Sequence, residues 1–236
     1  MLHIIMPVKD SIESTEQALR ALTASELSED YLVRVYDDNS TAANTQRLEA
    51  LCRELGVEHI LLSSLTDTPS PNYLFVLRRE QHLCVAEQAD LLIVESDVIV
   101  RPDTLQGLVS GARGQADCGL AAAVTVDDAG KINYPYEYAT RYNGDVADCP
   151  RHLSFCCTLL TQRLLQRFDF DELDDKKSWF DVTISHASRR LGLKNMLFVS
   201  LPVVHHPHQS RPWKLLKKQN PLLYYWRKWT CGLDKI

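Results

Sequence analysis

No apolar run in these 236 residues approaches the roughly 20 that a membrane-spanning helix requires. There is no C-x-x-C pair. The seven cysteines (52, 84, 118, 149, 156, 157 and 231) are odd in number and irregularly spaced. That pattern argues against a disulfide framework and against a zinc site built from thiolates. No signal-peptide pattern precedes the first apolar stretch, because Met1 runs directly into Leu2-His3-Ile4-Ile5. These absences predict a reduced, cytoplasmic protein with free, mostly buried thiols. A general nucleic-acid binder is disfavoured as well, since the net charge is −5. The charge is uneven, however. From His205 onward there are seven Lys/Arg against one Asp, and the first 204 residues carry a net −11.

What is present is alternation. Residues 2–8 read as a strand, 13–27 as a helix with Ala18, Leu19, Leu22 and Leu27 on one face, and 31–36 as a second strand. A helix over 45–55 stops at Gly56, a strand follows at 57–62, and a helix over 73–89 leads to an apolar stretch at 91–100. Beyond it lie a helix at 103–113, a small-residue strand at 119–126 and a tyrosine-rich irregular segment at 131–150. A strand at 153–161, short and long helices at 163–167 and 180–191, and a strand at 194–204 complete the pattern. The alternation predicts an α/β fold: one doubly wound domain whose central sheet is mostly parallel, with helices on both faces. Ligands of such sheets bind outside the carboxyl ends of the strands. Polar clusters follow Val8 and Tyr36 and fall at Glu95/Asp97, all at predicted carboxyl ends.

Residues 91–100 are the most informative. Four apolar residues lead into Glu95-Ser96-Asp97, and apolar character then resumes. On an extended chain Glu95 and Asp97 would share one side. Two carboxylates at the end of a buried strand must be solvated, hydrogen-bonded or cation-bound, which makes them candidates for a hard divalent metal. The alternative is a strand end in solvent, with one carboxylate capping the next helix.

Six segments, in order, resemble the family 2 glycosyltransferases of GT-A fold. Ile5-Met6-Pro7-Val8 resembles their opening strand, and Val35-Tyr36-Asp37-Asp38-Asn39-Ser40-Thr41 their V-D-D-G-S turn. Glu95-Ser96-Asp97 stands in the place of the D-x-D metal motif, and Phe168-Asp169-Phe170-Asp171-Glu172 is similar to the G-F-D-E segment. Trp179-Phe180-Asp181 sits where the E-D of the catalytic base is found, and Pro202-Val203-Val204-His205-His206 resembles the closing strand. The chain departs from the pattern at Glu95, at Phe180 and at Asn39, which replaces a glycine but tolerates a left-handed backbone.

The resemblance implies a GT-A domain over 1–208, with a nucleotide-sugar-binding half at 1–100, an acceptor-side half at 101–208 and a basic aromatic tail at 209–236. It implies an inverting transfer from a nucleoside-diphosphate sugar to a hydroxyl on a glycan, lipid-linked or small acceptor, assisted by Mg²⁺ or Mn²⁺. Pro7, Asp37, Asp38, Glu95 and Ser96 would contact the donor, and Arg78 its phosphates. Asp97 and one of His205 or His206 would bind metal, and Asp181 would be the base. Each has a plainer reading. For Asp37 it is turn formation, for Arg78 a solvated helix face, for Asp181 a helix N-terminal carboxylate, and for the histidines solvated or core positions. A degenerate domain that binds a nucleotide or partner without turnover is the alternative for the whole chain. A sugar-nucleotide pyrophosphorylase is disfavoured, because Lys9-Asp10-Ser11-Ile12 contains no glycine. The tail mixes Trp213, Tyr224, Tyr225, Trp226 and Trp229 with basic residues, which suits a donor-ordered lid, a membrane-surface contact or docking onto the core.

Overall fold

The structure, a computed structural model, describes residues 1–177, 179–206 and 220–230. Its centre is a nine-stranded sheet in the order β3-β2-β1-β4-β8-β6-β9-β5, with β7 pairing off this path to β9. The strands are β1 (Leu2–Val8), β2 (Tyr31–Asp37), β3 (Glu58–Leu61), β4 (Asp90–Val94), β5 (Val98–Ile99), β6 (Cys118–Val126), β7 (Val146–Asp148), β8 (Cys157–Leu160) and β9 (Lys194–His205). The helices are α1 (Ile12–Thr23), α2 (Ala42–Leu55), α3 (Tyr73–Glu87), α4 (Thr104–Arg113), α5 (Gln162–Leu165), α6 (Phe180–Arg190) and α7 (Pro221–Thr230).

The sheet is parallel from β3 through β4. β8 then runs antiparallel to both β4 and β6, β6 and β9 are parallel again, and β5 and β7 are antiparallel to β9. The fold is therefore α/β with helices on both faces, as the strand–helix alternation predicts, around a sheet that is mixed. The antiparallel insert could not be read from that alternation, since β8 carries the same continuous apolar signature as its parallel neighbours.

Two cores cover the two faces. Leu2, Ile4, Met6, Val35, Leu92 and Val94 pack on one face against α1, α2 and α4. Ile5, Tyr36, Leu91, Ile93, Leu120 and Ala122 pack on the other against α3, α5 and α6. The continuous apolar runs follow from this, because strands buried on both faces have no solvent side to mark with polar residues. Leu91 to Val94 are wholly buried, and truncating one of them to alanine is a change that costs roughly 2–5 kcal/mol. The small residues of β6 have the same origin. A Cβ at Gly119 would lie 2.2 Å from the Ser188 hydroxyl on α6, so this helix rests almost on the backbone of the strand. Gly107 and Gly111, one turn apart on α4, let that helix close on β9, where a Cβ would meet Leu201 at 2.8 Å and Phe198 at 2.4 Å. The three spaced glycines at 107, 111 and 114 thus serve helix packing and the helix end.

One expectation needs correcting. Residues 91–100 are not a single strand. β4 ends at Val94, the backbone turns with the Val98 N–H donating to the Glu95 carbonyl at 3.1 Å, and β5 then pairs with the end of β9. Glu95 and Asp97 are held by a turn and not on one side of an extended chain. Other element boundaries shift by a few residues. The predicted strand at 153–161 shrinks to Cys157–Leu160, and β7 arises within the segment that reads as irregular.

Candidate active site

The parallel register of β1, β2 and β4 brings the polar clusters together along one edge of the sheet. Val8 aligns with Asp37 and Ile5 with Ile93, so the segments after Val8, Asp37 and Val94 leave the sheet side by side.

Asp37 is buried, and both its oxygens are engaged: Ser40 N–H donates to one at 2.9 Å and the Thr45 hydroxyl to the other at 2.6 Å. His59 Nε2 stands 3.7 Å away. Burial alone would raise this carboxyl, but His59, Thr45 and Ser40 outweigh it and hold Asp37 well below the usual carboxylate range. Its direct work is to tie the turn to α2. Asn39 within that turn adopts φ 59°, the left-handed conformation for which asparagine is a fair replacement of glycine. Asp38 points the other way and accepts from the Ser70 hydroxyl at 2.8 Å and from Asn72 N–H and Nδ2 at 2.9 and 2.8 Å, fixing the start of α3. Pro7 is half-buried near the end of β1, and the Ser96 hydroxyl meets that of Ser11 at 3.1 Å.

The β5–β9 pairing supplies the other half of the site. Val98 aligns with His205, and His206 N–H donates to the Asp97 carbonyl at 3.0 Å. His205 is buried, and its Nδ1 lies 2.7 Å from the Tyr134 carbonyl. A carbonyl only accepts, so Nδ1 carries a proton and Nε2 is the ring atom turned toward the carboxylates. That Nε2 has no hydrogen-bond partner among the described residues and stands 3.6 Å from Asp97 Oδ2. A cation held between Nε2 and the buried Asp97 carboxylate would engage both groups. An imidazole whose Nδ1 proton is fixed by a carbonyl is the usual form of a histidine metal ligand. Glu95 completes the group, as its carboxylate, the Cys156 thiol and His205 place one ligand atom each within 4.8 Å of one another. The donor set of two carboxylates and an imidazole suits Mn²⁺ or Mg²⁺. Burial and the charge of Glu95 push the Cys156 thiol well above its ordinary value, so it serves as a proton donor to Glu95 Oε2 at 3.3 Å.

The geometry separates the histidines. His206 is exposed and paired through Nε2 with Asp128 at 2.8 Å, while His205 faces the carboxylates. His208 lies outside the described residues.

A cavity of about 400 Å³ opens beside this group, with Glu95 and Asp181 both in its wall. Asp181 occupies the first turn of α6, where the helix dipole favours a carboxylate, and its Oδ1 accepts from the Val182 N–H at 2.8 Å. Phe180, which replaces the expected Glu, is nearly buried and stacks at a tilt on Tyr73 with ring centroids 6.4 Å apart. Arg78 does not line the cavity. Its guanidinium donates to the carbonyls of Phe170 at 3.1 Å and Leu173 at 2.7 Å and pairs with Asp175 at 2.9 Å.

Tyr134, from the tyrosine-rich stretch, also forms the cavity wall, together with His152, Phe155 and Trp179, which the sequence did not single out as site residues. The tyrosine-rich stretch and Trp179 beside Asp181 carried a signal for two of the four. Cys156 carried none, because it arrives through the antiparallel register that sets Val94 against Cys157 and lets Glu95 N–H donate to the Cys156 carbonyl at 2.9 Å.

No family model matches the sequence, and no curated protein matches it. Solved structures do match. The mannosyltransferase PcManGT from Pyrobaculum calidifontis, solved with GDP-Man and Mn²⁺, superposes with a TM-score of 0.66 at 14% identity over 97% of this chain and 64% of its own. S. aureus TarS 1–349 matches with a TM-score of 0.60 at 16% identity over 92% of this chain and 62% of its own. A complex of TarS 1–349 with UDP-GlcNAc matches at 0.58 over 88% and 59%. The chain thus spans a little under two thirds of the length of these structures, and the likeness is one of fold. This chain has the fold of the GT-A glycosyltransferases.

Proposed function

We propose that the protein is a divalent-metal-assisted, inverting glycosyltransferase that moves a sugar from a nucleoside diphosphate to a hydroxyl on a glycan, lipid-linked or small acceptor. The observation that carries this reading is the meeting of two independent parts at one cavity. They are the Glu95–Asp97–His205 group, suited to a cation, and Asp181, held at a helix N-terminus in the opposite part of the sequence.

Asp97, His205 and Glu95 would hold the cation. When bound it neutralises the charge that grows on the leaving diphosphate as the glycosidic bond breaks. Asp38, Pro7 and Ser96 lie where the donor's base and ribose would rest, with residues 1–100 as the donor half and 101–208 as the acceptor half. Asp37 and Arg78 act one step removed: Asp37 keeps the turn that presents Asp38, and Arg78 anchors residues 170–175 to α3. Asp181 accepts the proton of the acceptor hydroxyl as its oxygen attacks the anomeric carbon from the face opposite the diphosphate. A single displacement of that kind inverts the anomeric centre. The aromatic walls Tyr73, Trp179 and Phe180 exclude water and offer flat faces to a sugar ring.

Thermal denaturation with UDP or GDP, with and without Mn²⁺, tests the donor half without knowledge of the acceptor. A nucleoside diphosphate at 100 times its Kd stabilises by about 2.7 kcal/mol. In a chain of this size that raises Tm by roughly 5–10 °C. The shift is expected to need Mn²⁺ and to vanish in Asp97→Ala. Failure of both nucleotides to shift Tm at millimolar concentration would sink the proposal.

A further inference from the structure

We propose that α7 docks the protein on an anionic lipid surface, with Leu222, Tyr225, Trp226 and Trp229 entering the boundary between headgroups and acyl chains. These residues stand at i, i+3, i+4 and i+7, so a single face of one helix carries all four. They are 85%, 54%, 60% and 78% exposed, whereas every other large hydrophobic side chain among the described residues is less than half exposed. Leu223 and Tyr224, on the other side of the helix, are half-buried. The amphipathic pattern is therefore turned inside out for a helix in water, with its strongest apolar stripe facing solvent.

The chemistry of the stripe and its surroundings selects the occupant. Tryptophan and tyrosine join a large apolar body to a polar edge, which suits the headgroup level of a bilayer. Arg227 and Lys228 are part of the same helix, and the segment from His205 onward holds seven Lys/Arg against one Asp. Such a segment is drawn to anionic headgroups, while the first 204 residues, at a net −11, are repelled by them. Contact is thus confined to the tail. No helix among the described residues is long and apolar enough to cross a membrane, so the contact is one of lying on the surface. A second copy of the chain is the poorer occupant. A ten-residue helix is about 15 Å long, and four side chains fall well short of the roughly 800 Å² per partner of a stable interface. Two basic tails also repel each other. The proposal stands independently of the glycosyl-transfer reading.

Vesicle co-sedimentation of the full chain tests it, using phosphatidylcholine alone and a mixture of phosphatidylcholine with phosphatidylglycerol. The chain is expected to pellet with the mixed vesicles and remain in solution with phosphatidylcholine alone. Raising NaCl from about 0.1 M to about 1 M shortens the screening length from about 10 Å to about 3 Å and should release it. W226A/W229A and, separately, L222E should each weaken partition by about tenfold or more, because each removes area that enters the interface. Their Tm should match that of the parent chain, since these side chains face solvent. Equal binding to both vesicle types, binding indifferent to these substitutions, or no binding to either vesicle would overturn the proposal. So would a dimer in sedimentation velocity that the same substitutions dissolve.

Discussion

Glu80→Gln is expected to lower the melting temperature by roughly 6–12 °C, and the figure follows from the charge network between α3 and the first two strands. Glu80 lies on α3 with no exposed surface. It accepts from Arg34 at 2.9 Å and from the Tyr36 hydroxyl, and His3 Nδ1 is 3.4 Å away. Arg34, only 11% exposed, has one other carboxylate partner, Glu58 at 2.9 Å on the solvent side. The amide keeps the shape of the side chain and an oxygen for Tyr36, but it leaves the guanidinium without its buried counter-charge. Breaking a buried pair from one side costs about 3–5 kcal/mol. The surviving contact to Glu58 puts this case near the lower end, at about 3 kcal/mol. In a chain of this length each kcal/mol moves Tm by about 2–4 °C. Replacing both partners, as in Glu80→Met with Arg34→Met, should cost less than the two single changes together, because the uncompensated charge is gone. Differential scanning calorimetry or urea titration measures the parent, Glu80→Gln, the two single methionine changes and the double. A Glu80→Gln protein that melts within about 2 °C of the parent would show instead that water or Glu58 already satisfies Arg34.

Acid should act through the same carboxylate. Burial would raise Glu80, but His3, Tyr36 and Arg34 outweigh it and hold it below its ordinary range; Asp37 is held low likewise. Both therefore contribute stability that is complete above their unfolded values of about 4 and is lost as pH falls through their lower folded values. A Tm-against-pH profile should fall on the acid side, less steeply in Asp37→Asn. His205→Ala should abolish Mn²⁺-dependent stabilisation by a nucleoside diphosphate while His206→Ala retains it, which thermal shift resolves directly. Gly111→Ala should destabilise by about 1–3 kcal/mol, since the new methyl would displace the Phe198 ring, and urea midpoints measure it.

The legible parts of this chain were those with a local signature. β1, β2 and β4 announce themselves as continuous apolar runs, Gly56 ends α2 in the left-handed conformation, and Asn39 keeps a turn usually built on glycine. Clustering of Asp37, Asp38 and Glu95 followed from parallel strands whose ends must coincide. What escaped was set by long-range register. Nothing local tells that β8 inserts antiparallel between β4 and β6, and so nothing local tells that Cys156 lies against Glu95. His205 and His206 differ only in which one follows the β5–β9 pairing into the sheet. The turn at residues 95–98 was hidden for the same reason, since β5 is only two residues long and exists because β9 receives it. Arg78 illustrates a further limit. A basic side chain on a helix near an acidic site can serve substrate or carbonyl groups, and only the fold of residues 170–175 shows which it meets.

The proposed activity is tested most directly by sugar transfer with the parent chain and with Asp181→Asn, using Mn²⁺ and a panel of nucleoside-diphosphate sugars and hydroxyl acceptors. The parent is expected to transfer the sugar with inversion at the anomeric carbon. Asp181→Asn should lose about 10²–10⁴-fold in transfer with the nucleotide-dependent thermal shift intact, because the base acts on the acceptor and not on donor binding. Transfer undiminished in Asp181→Asn would contradict the role given to this residue. Nucleotide binding by the parent with no transfer from any donor would contradict the activity itself.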